Sequence, residues 1–136
     1  MSPLYTAAAT ANGREGRAVS SDGQLDLTLA FPPALGGTGQ GTNPEQLFAA
    51  GYAACFASAY GLVGRQEKVD TKDVSVTAEV SIDKDETSFA LSVTLRVELP
   101  DSIDAQTGEK LAHLAHQVCP YSKATRGNIP VNIVVE

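Results

Sequence analysis

Val74, Val76, Ala78, Val80 and Ile82 alternate with Ser75, Thr77, Glu79 and Ser81. That two-residue period predicts a strand with one wet face. Phe89, Leu91, Val93, Leu95, Val97 and Leu99 repeat it against Ala90, Ser92, Thr94, Arg96 and Glu98. The polar residues 83–86 between the two runs predict a long hairpin, which Pro100 and Asp101 end. Earlier, Leu25, Leu27 and Leu29 alternate with Asp26 and Thr28. Residues 4–11 and 17–20 are also strand-like, set off by turn signals at Asn12-Gly13 and Ser21-Asp22-Gly23, so the amino-terminal part reads as a β-meander. Residues 131–135 read as a closing strand after Pro130.

The pattern changes between residues 46 and 64, where no charge occurs. Thr42 or Asn43 suits a helix cap, Pro44 the first turn, and Glu45 the positive end of the helix dipole. Thr42 and Glu45 also fit a capping box. The helix is apolar on every side, the mark of one surrounded by protein. Its length would span a bilayer, but Ala, Gly, Ser and Tyr dominate it, which favours a buried helix over a membrane one. Gly51, Ala54, Ser58 and Gly61 permit close approach of another helix. A second helix is predicted over residues 104–118, with Leu111, Leu114, Ala115 and Val118 on one face. The Pro- and Gly-rich residues 31–42 read as a connector, because no Lys-Ser/Thr follows the last glycine as a phosphate loop requires.

The predicted order is βββ-α-ββ-α-β, an α+β fold with mostly antiparallel sheet in a single domain, 1–136. One six-stranded sheet would cover only one side of the first helix. The expected solution is a homodimer in which two such helices pack together between two sheets.

Composition narrows the function. The chain has 136 residues and a net charge of −6, which argues against nucleic acid and anionic membrane as partners. It has no Trp, and no aromatic stacking platform is visible. The first residues lack the basic and apolar regions of a secretory signal, so the expected compartment is the reducing cytoplasm. Two cysteines there point to redox or metal chemistry more than to a structural staple.

Cys55 lies inside the uncharged helix, where a thiol either packs as a small hydrophobe or reacts. Reaction needs the thiolate, and apolar burial opposes ionisation. An active Cys55 therefore needs a cation, for which Arg14, Arg17, Arg65, Lys123 and Arg126 are candidates. Arg14 stands in a turn between Gly13 and Gly16, either solvated or positioned to stabilise a thiolate and hold a peroxide oxygen. Glu45 reads as a routine helix-start acid or as an anchor for that arginine. It precedes Cys55 by ten positions, about 15 Å of helix, so a shared site would draw Glu45 from a partner helix. Cys119 reads as a core residue at a helix end or as a resolving thiol. His113, His116 and Cys119 recur every third residue, but no fourth metal ligand is evident and the histidines read as helix-surface residues. No Gly-x-Ser-x-Gly elbow supports a hydrolase.

The segment Thr42-Asn43-Pro44-Glu45-Gln46-Leu47-Phe48-Ala49-Ala50-Gly51-Tyr52-Ala53-Ala54-Cys55-Phe56 resembles a signature of the Ohr/OsmC family, in its organic hydroperoxide resistance branch. Val118-Cys119-Pro120-Tyr121-Ser122, followed by residues 124–129, resembles the branch's second cysteine motif, and residues 13–22 resemble its arginine segment. The resemblance spans essentially the whole chain. It departs at Ala57-Ser58, where the branch often has a glycine, and only a packing change is expected there.

The resemblance implies a cysteine peroxidase for organic hydroperoxides, built as an intertwined homodimer with antiparallel sheets wrapped around central helices. Cys55 would be the peroxidatic thiol, Cys119 the resolving thiol, Arg14 the activating cation and Glu45 its carboxylate partner. It also implies no bound cofactor and recycling by a dihydrolipoyl-type dithiol, on a lipoylated protein or as a small molecule. Leu47, Phe48, Phe56 and Tyr60 are expected to line an alkyl-binding site. The alternatives are an OsmC-branch peroxidase of other substrate range, or a non-turnover redox sensor or hydrophobic-ligand binder on the same fold.

Overall fold

A computed structural model of the chain describes residues 1–136. The chain forms two compact units, residues 1–47 and residues 48–136.

The first unit holds β1 (Ala9–Ala11), β2 (Gly16–Ser20) and β3 (Asp26–Leu29), an antiparallel meander in that order. The strand expected over residues 4–11 shortens to three, because β2 offers partners only from Ala18 to Ser20 before the turn. Leu4 and Tyr5 are left exposed. The connector folds back on β3: the N–H of Thr42 donates to the Thr28 carbonyl (2.8 Å), and that of Ala30 to the Thr42 carbonyl (2.9 Å). Ala18 and Leu29 are the only hydrophobic residues of the meander that are buried.

The second unit carries β4 (Ser75–Lys84) and β5 (Phe89–Glu98), paired antiparallel over ten positions with Val80 opposite Val93. This is the hairpin that the alternation predicts. β6 (Val131–Val135) joins the other edge of β5 in parallel, with Ile133 opposite Leu95. A parallel pair needs a long crossover, which α2 (Ala105–Val118) and α3 (Pro120–Thr125) supply. The strands thus form two three-stranded sheets, not one of six. In the second sheet β4 and β6 flank β5, and the meander strands pair only with one another.

Helix α1 (Pro44–Gln66) begins where the capping signals place it. Asn43 is the cap, its Oδ1 accepting from the Gln46 N–H at 2.9 Å, while Thr42 bonds the Gln46 side chain. Glu45 is paired elsewhere, so the expected capping box does not form. Although apolar all round, α1 buries one face: Tyr52, Phe56, Ala59, Tyr60 and Val63 pack with Val93, Leu95 and Val97 of β5 and with Leu111, Ala112 and Ala115 of α2. Ala50, Ala54, Ser58 and Leu62, four residues apart, form an exposed stripe. α1 is long and apolar enough to cross a bilayer by length and composition alone, but its buried face is committed to this core. α2 is capped by Asp104, which accepts from the Thr107 N–H at 2.7 Å. The short α3 is absent from the predicted order, although Pro120 at its first position is a helix-start signal.

Candidate active site

The four predicted site residues assemble as two pairs, one in each unit. In the first, Arg14 projects from the turn between β1 and β2. Gly13 (φ 152°) and Gly16 (φ 91°) take backbone angles that side chains disfavour, which lets this turn form. Its guanidinium donates to both carboxylate oxygens of Glu45, at 2.8 and 2.5 Å, in a bidentate fork. Glu45 is held by the first turn of α1. The Arg14 bonds hold its carboxyl below the usual carboxylate range, against burial, which pushes it up. The same contact raises the Arg14 guanidinium further.

In the second unit, Cys55 on α1 meets Cys119, the residue that links α2 to α3. The Cys119 S–H donates to the Cys55 sulfur at 3.4 Å. Both are free thiols; Cys119 is fully buried and Cys55 half-buried. Burial pushes the Cys55 thiol up, the backbone N–H of Tyr121 pulls it down by donating to the sulfur, and Cys119 pushes it up again. The second unit by itself therefore favours the protonated Cys55. A cleft of about 330 Å³ opens beside the sulfur, lined by Cys55, Ser58, Ala59, Leu62, Arg65, Val118 and Pro120. Its walls differ from those expected: Phe56 and Tyr60 are sealed in the core, because their positions on α1 face the sheet.

The regular spacing of His113, His116 and Cys119 resolves into three different environments. His113 is exposed, Cys119 faces Cys55, and His116 Nδ1 lies 2.8 Å from Ser122 Oγ. His116 is thus half-buried and engaged, not a surface residue. Sequence reasoning also passed over Tyr121. Its ring packs on Phe48 and Tyr52, with centroids 6.1 and 5.6 Å apart, and lies over Gly51, where a Cβ would meet the phenol oxygen at 2.8 Å. Gly51, one turn before Cys55, was the available signal.

Comparison with known proteins places the chain among relatives. Residues 37–134 match the OsmC-like protein family. The organic hydroperoxide resistance protein of Xanthomonas axonopodis pv. citri is 53% identical over 137 residues, covering 97% of this chain and 94% of that protein. OhrA of Bacillus subtilis is 51% identical over 138 residues, covering 98% and 96%. The crystal structure of an organic hydroperoxide resistance protein from Legionella pneumophila superposes with a TM-score of 0.93 at 47% identity, over 99% of each chain. That of Bacillus subtilis OhrB gives 0.88 at 44%, over 98% of this chain and 100% of that one. With its α+β fold, its thiol pair and its arginine–carboxylate fork, the chain belongs to the OsmC-like family, in the branch of the organic hydroperoxide resistance proteins.

Proposed function

We propose that the chain is a thiol peroxidase that reduces organic hydroperoxides to alcohols. The observation that carries this reading is the Cys55–Cys119 contact at 3.4 Å beside an open cleft. The Cys55 thiolate attacks the distal oxygen of R–O–O–H; the O–O bond breaks and the alkoxide leaves as alcohol after taking a proton. Cys55 becomes a sulfenic acid, and Cys119 condenses with it to give a disulfide and water. A dithiol of the dihydrolipoyl kind, small or protein-borne, restores both thiols by exchange. The reaction uses no bound cofactor and runs in a reducing compartment, the cytoplasm. The cleft walls, apolar apart from Ser58 and Arg65, suit an alkyl or lipid hydroperoxide, and the relatives' names agree with an organic peroxide as substrate.

The thiolate needs a cation, because burial opposes it and the Tyr121 N–H is only a partial counterweight. We assign that role to Arg14, oriented by Glu45. The ten-position spacing of Glu45 and Cys55 on α1 supports an Arg14–Glu45 pair contributed by a second copy of the chain. The exposed stripe of α1 and the sparsely buried meander are surfaces that a homodimer would cover.

Peroxide consumption with cumene hydroperoxide and excess dihydrolipoamide tests the reading. Wild type is expected to turn over many times, Cys55→Ser to be inactive from the first equivalent, and Cys119→Ser to consume one equivalent without forming a disulfide. Consumption that stops at one equivalent in wild type identifies a sensor or binder instead.

A further inference from the structure

Behind the two cysteines lies a buried chain of hydroxyl groups that peroxide attack does not require. Ser122 on α3 is fully buried; its Oγ lies 2.8 Å from the Tyr52 phenol oxygen of α1 and 2.8 Å from His116 Nδ1 of α2. Tyr52 also reaches Thr125 Oγ1 at 3.0 Å, and Thr125 donates to the Ser122 carbonyl at 3.2 Å. The Arg126 guanidinium closes the far side on the His116 carbonyl. Three helices are therefore joined through one hydroxyl. Burying such groups costs free energy unless each is paired, and a fully paired network fixes one arrangement of the elements that carry it.

What it fixes is the corner at Cys119. That residue ends α2 and begins α3, so the network's members stand three residues on either side of it, at His116 and Ser122. Tyr52 stands three residues before Cys55 on α1. We propose that the Tyr52–Ser122–His116 network positions Cys119 for its attack on oxidised Cys55, and so governs disulfide closure while leaving the preceding peroxide attack alone. This rests on the peroxidase reading above. In the governed step the Cys119 sulfur bonds to the Cys55 sulfur, the S–O bond of the sulfenic acid breaks, and hydroxide leaves with the thiol proton as water. No further oxidant enters. The sulfurs must close from 3.4 Å to a bond of about 2.0 Å. A corner free to drift lengthens the life of the sulfenic acid and exposes it to a second peroxide, which makes sulfinic acid.

Stopped-flow and mass-spectrometric timing separate the steps: sulfenic acid adds one oxygen, disulfide formation removes two hydrogens, and sulfinic acid adds two oxygens. Ser122→Ala and Tyr52→Phe are expected to oxidise Cys55 within about twofold of wild type but to close the disulfide about tenfold more slowly, the scale of one lost buried hydrogen bond. Sulfinic acid should then accumulate under excess peroxide. His116→Ala, at a half-exposed helix position, serves if the core variants do not fold, and should slow closure about threefold or more. Closure at the wild-type rate in the folded variants overturns the proposal, as does an equal fall in both steps, which would mark a purely structural role. Failure of wild type to oxidise Cys55 at all would instead sink the peroxidase reading.

Discussion

Arg14 closes on Glu45 through two charge-assisted bonds of 2.8 and 2.5 Å, one partner from a glycine-flanked turn and the other from the first turn of a helix. The fork fixes the plane of the guanidinium, which a lysine ammonium cannot reproduce. Arg14→Lys is therefore expected to keep the charge but lose about tenfold or more in peroxidase rate, and Arg14→Ala to raise the apparent pKa of Cys55. Iodoacetamide alkylation across a pH series reads the second effect. An unchanged alkylation profile in Arg14→Ala would remove Arg14 from the activation of the thiol.

If the arginine comes from the other copy of the chain, an inactive Cys55 variant and an impaired Arg14 variant rescue each other. Mixing unfolded Cys55→Ser with Arg14→Ala and refolding gives heterodimers in which one of the two sites is intact. Statistical assortment then predicts about a quarter of wild-type activity. No regain of activity would place Arg14 and Cys55 of one chain in the same site.

The stripe Ala50, Ala54, Ser58 and Leu62 is uncovered in the chain by itself. Ala54→Arg puts a charge where a partner helix would pack, and an unpaired charge is costly to bury. Wild type is expected to sediment as a dimer and Ala54→Arg as a monomer. A wild-type monomer in analytical ultracentrifugation would refute the helix-to-helix dimer.

The Glu45 carboxyl is held below its ordinary value near 4.5 by Arg14. A depressed folded-state pKa contributes stability that is fully present above that ordinary value and is lost as pH falls through the folded-state one. Urea midpoints measured from about pH 6 to about pH 3 should fall less steeply for Glu45→Gln than for wild type. Parallel curves would mean that the fork adds nothing to folding.

Gly108 accepts from the Tyr60 hydroxyl at 3.0 Å, and a Cβ there would meet Leu99 Cδ1 at 2.3 Å. Gly108→Ala gains up to about 1 kcal/mol of helix propensity but overpacks at a cost of about 1–3 kcal/mol. A net loss of about 1 kcal/mol in urea unfolding is expected, partly recovered by adding Leu99→Val.

The strands of the hairpin, both long helices and the Asn43 cap of the first were legible because their causes are local. Alternation needs only a period of two, and a cap needs only a residue whose side chain reaches the next few N–H groups. The short α3 is missing from the predicted order, which stops the second helix at residue 118 and places nothing helical after it, although Pro120 can begin a helix. The division into two sheets was not legible, because alternation along one strand does not say which other strand lies beside it.

By itself the sequence determined which residue types could do chemistry: two thiols, a glycine-flanked arginine and a helix-start carboxylate, in segments with family counterparts. Only the tertiary structure decided their company. Cys55 and Cys119 are 64 positions apart and meet because α1 and the α2–α3 corner pack on one sheet. His116 left the surface for Ser122, and Phe56 and Tyr60 turned to the core instead of the cleft. Such contacts arise from packing over long chain separations, and no local period or spacing encodes them.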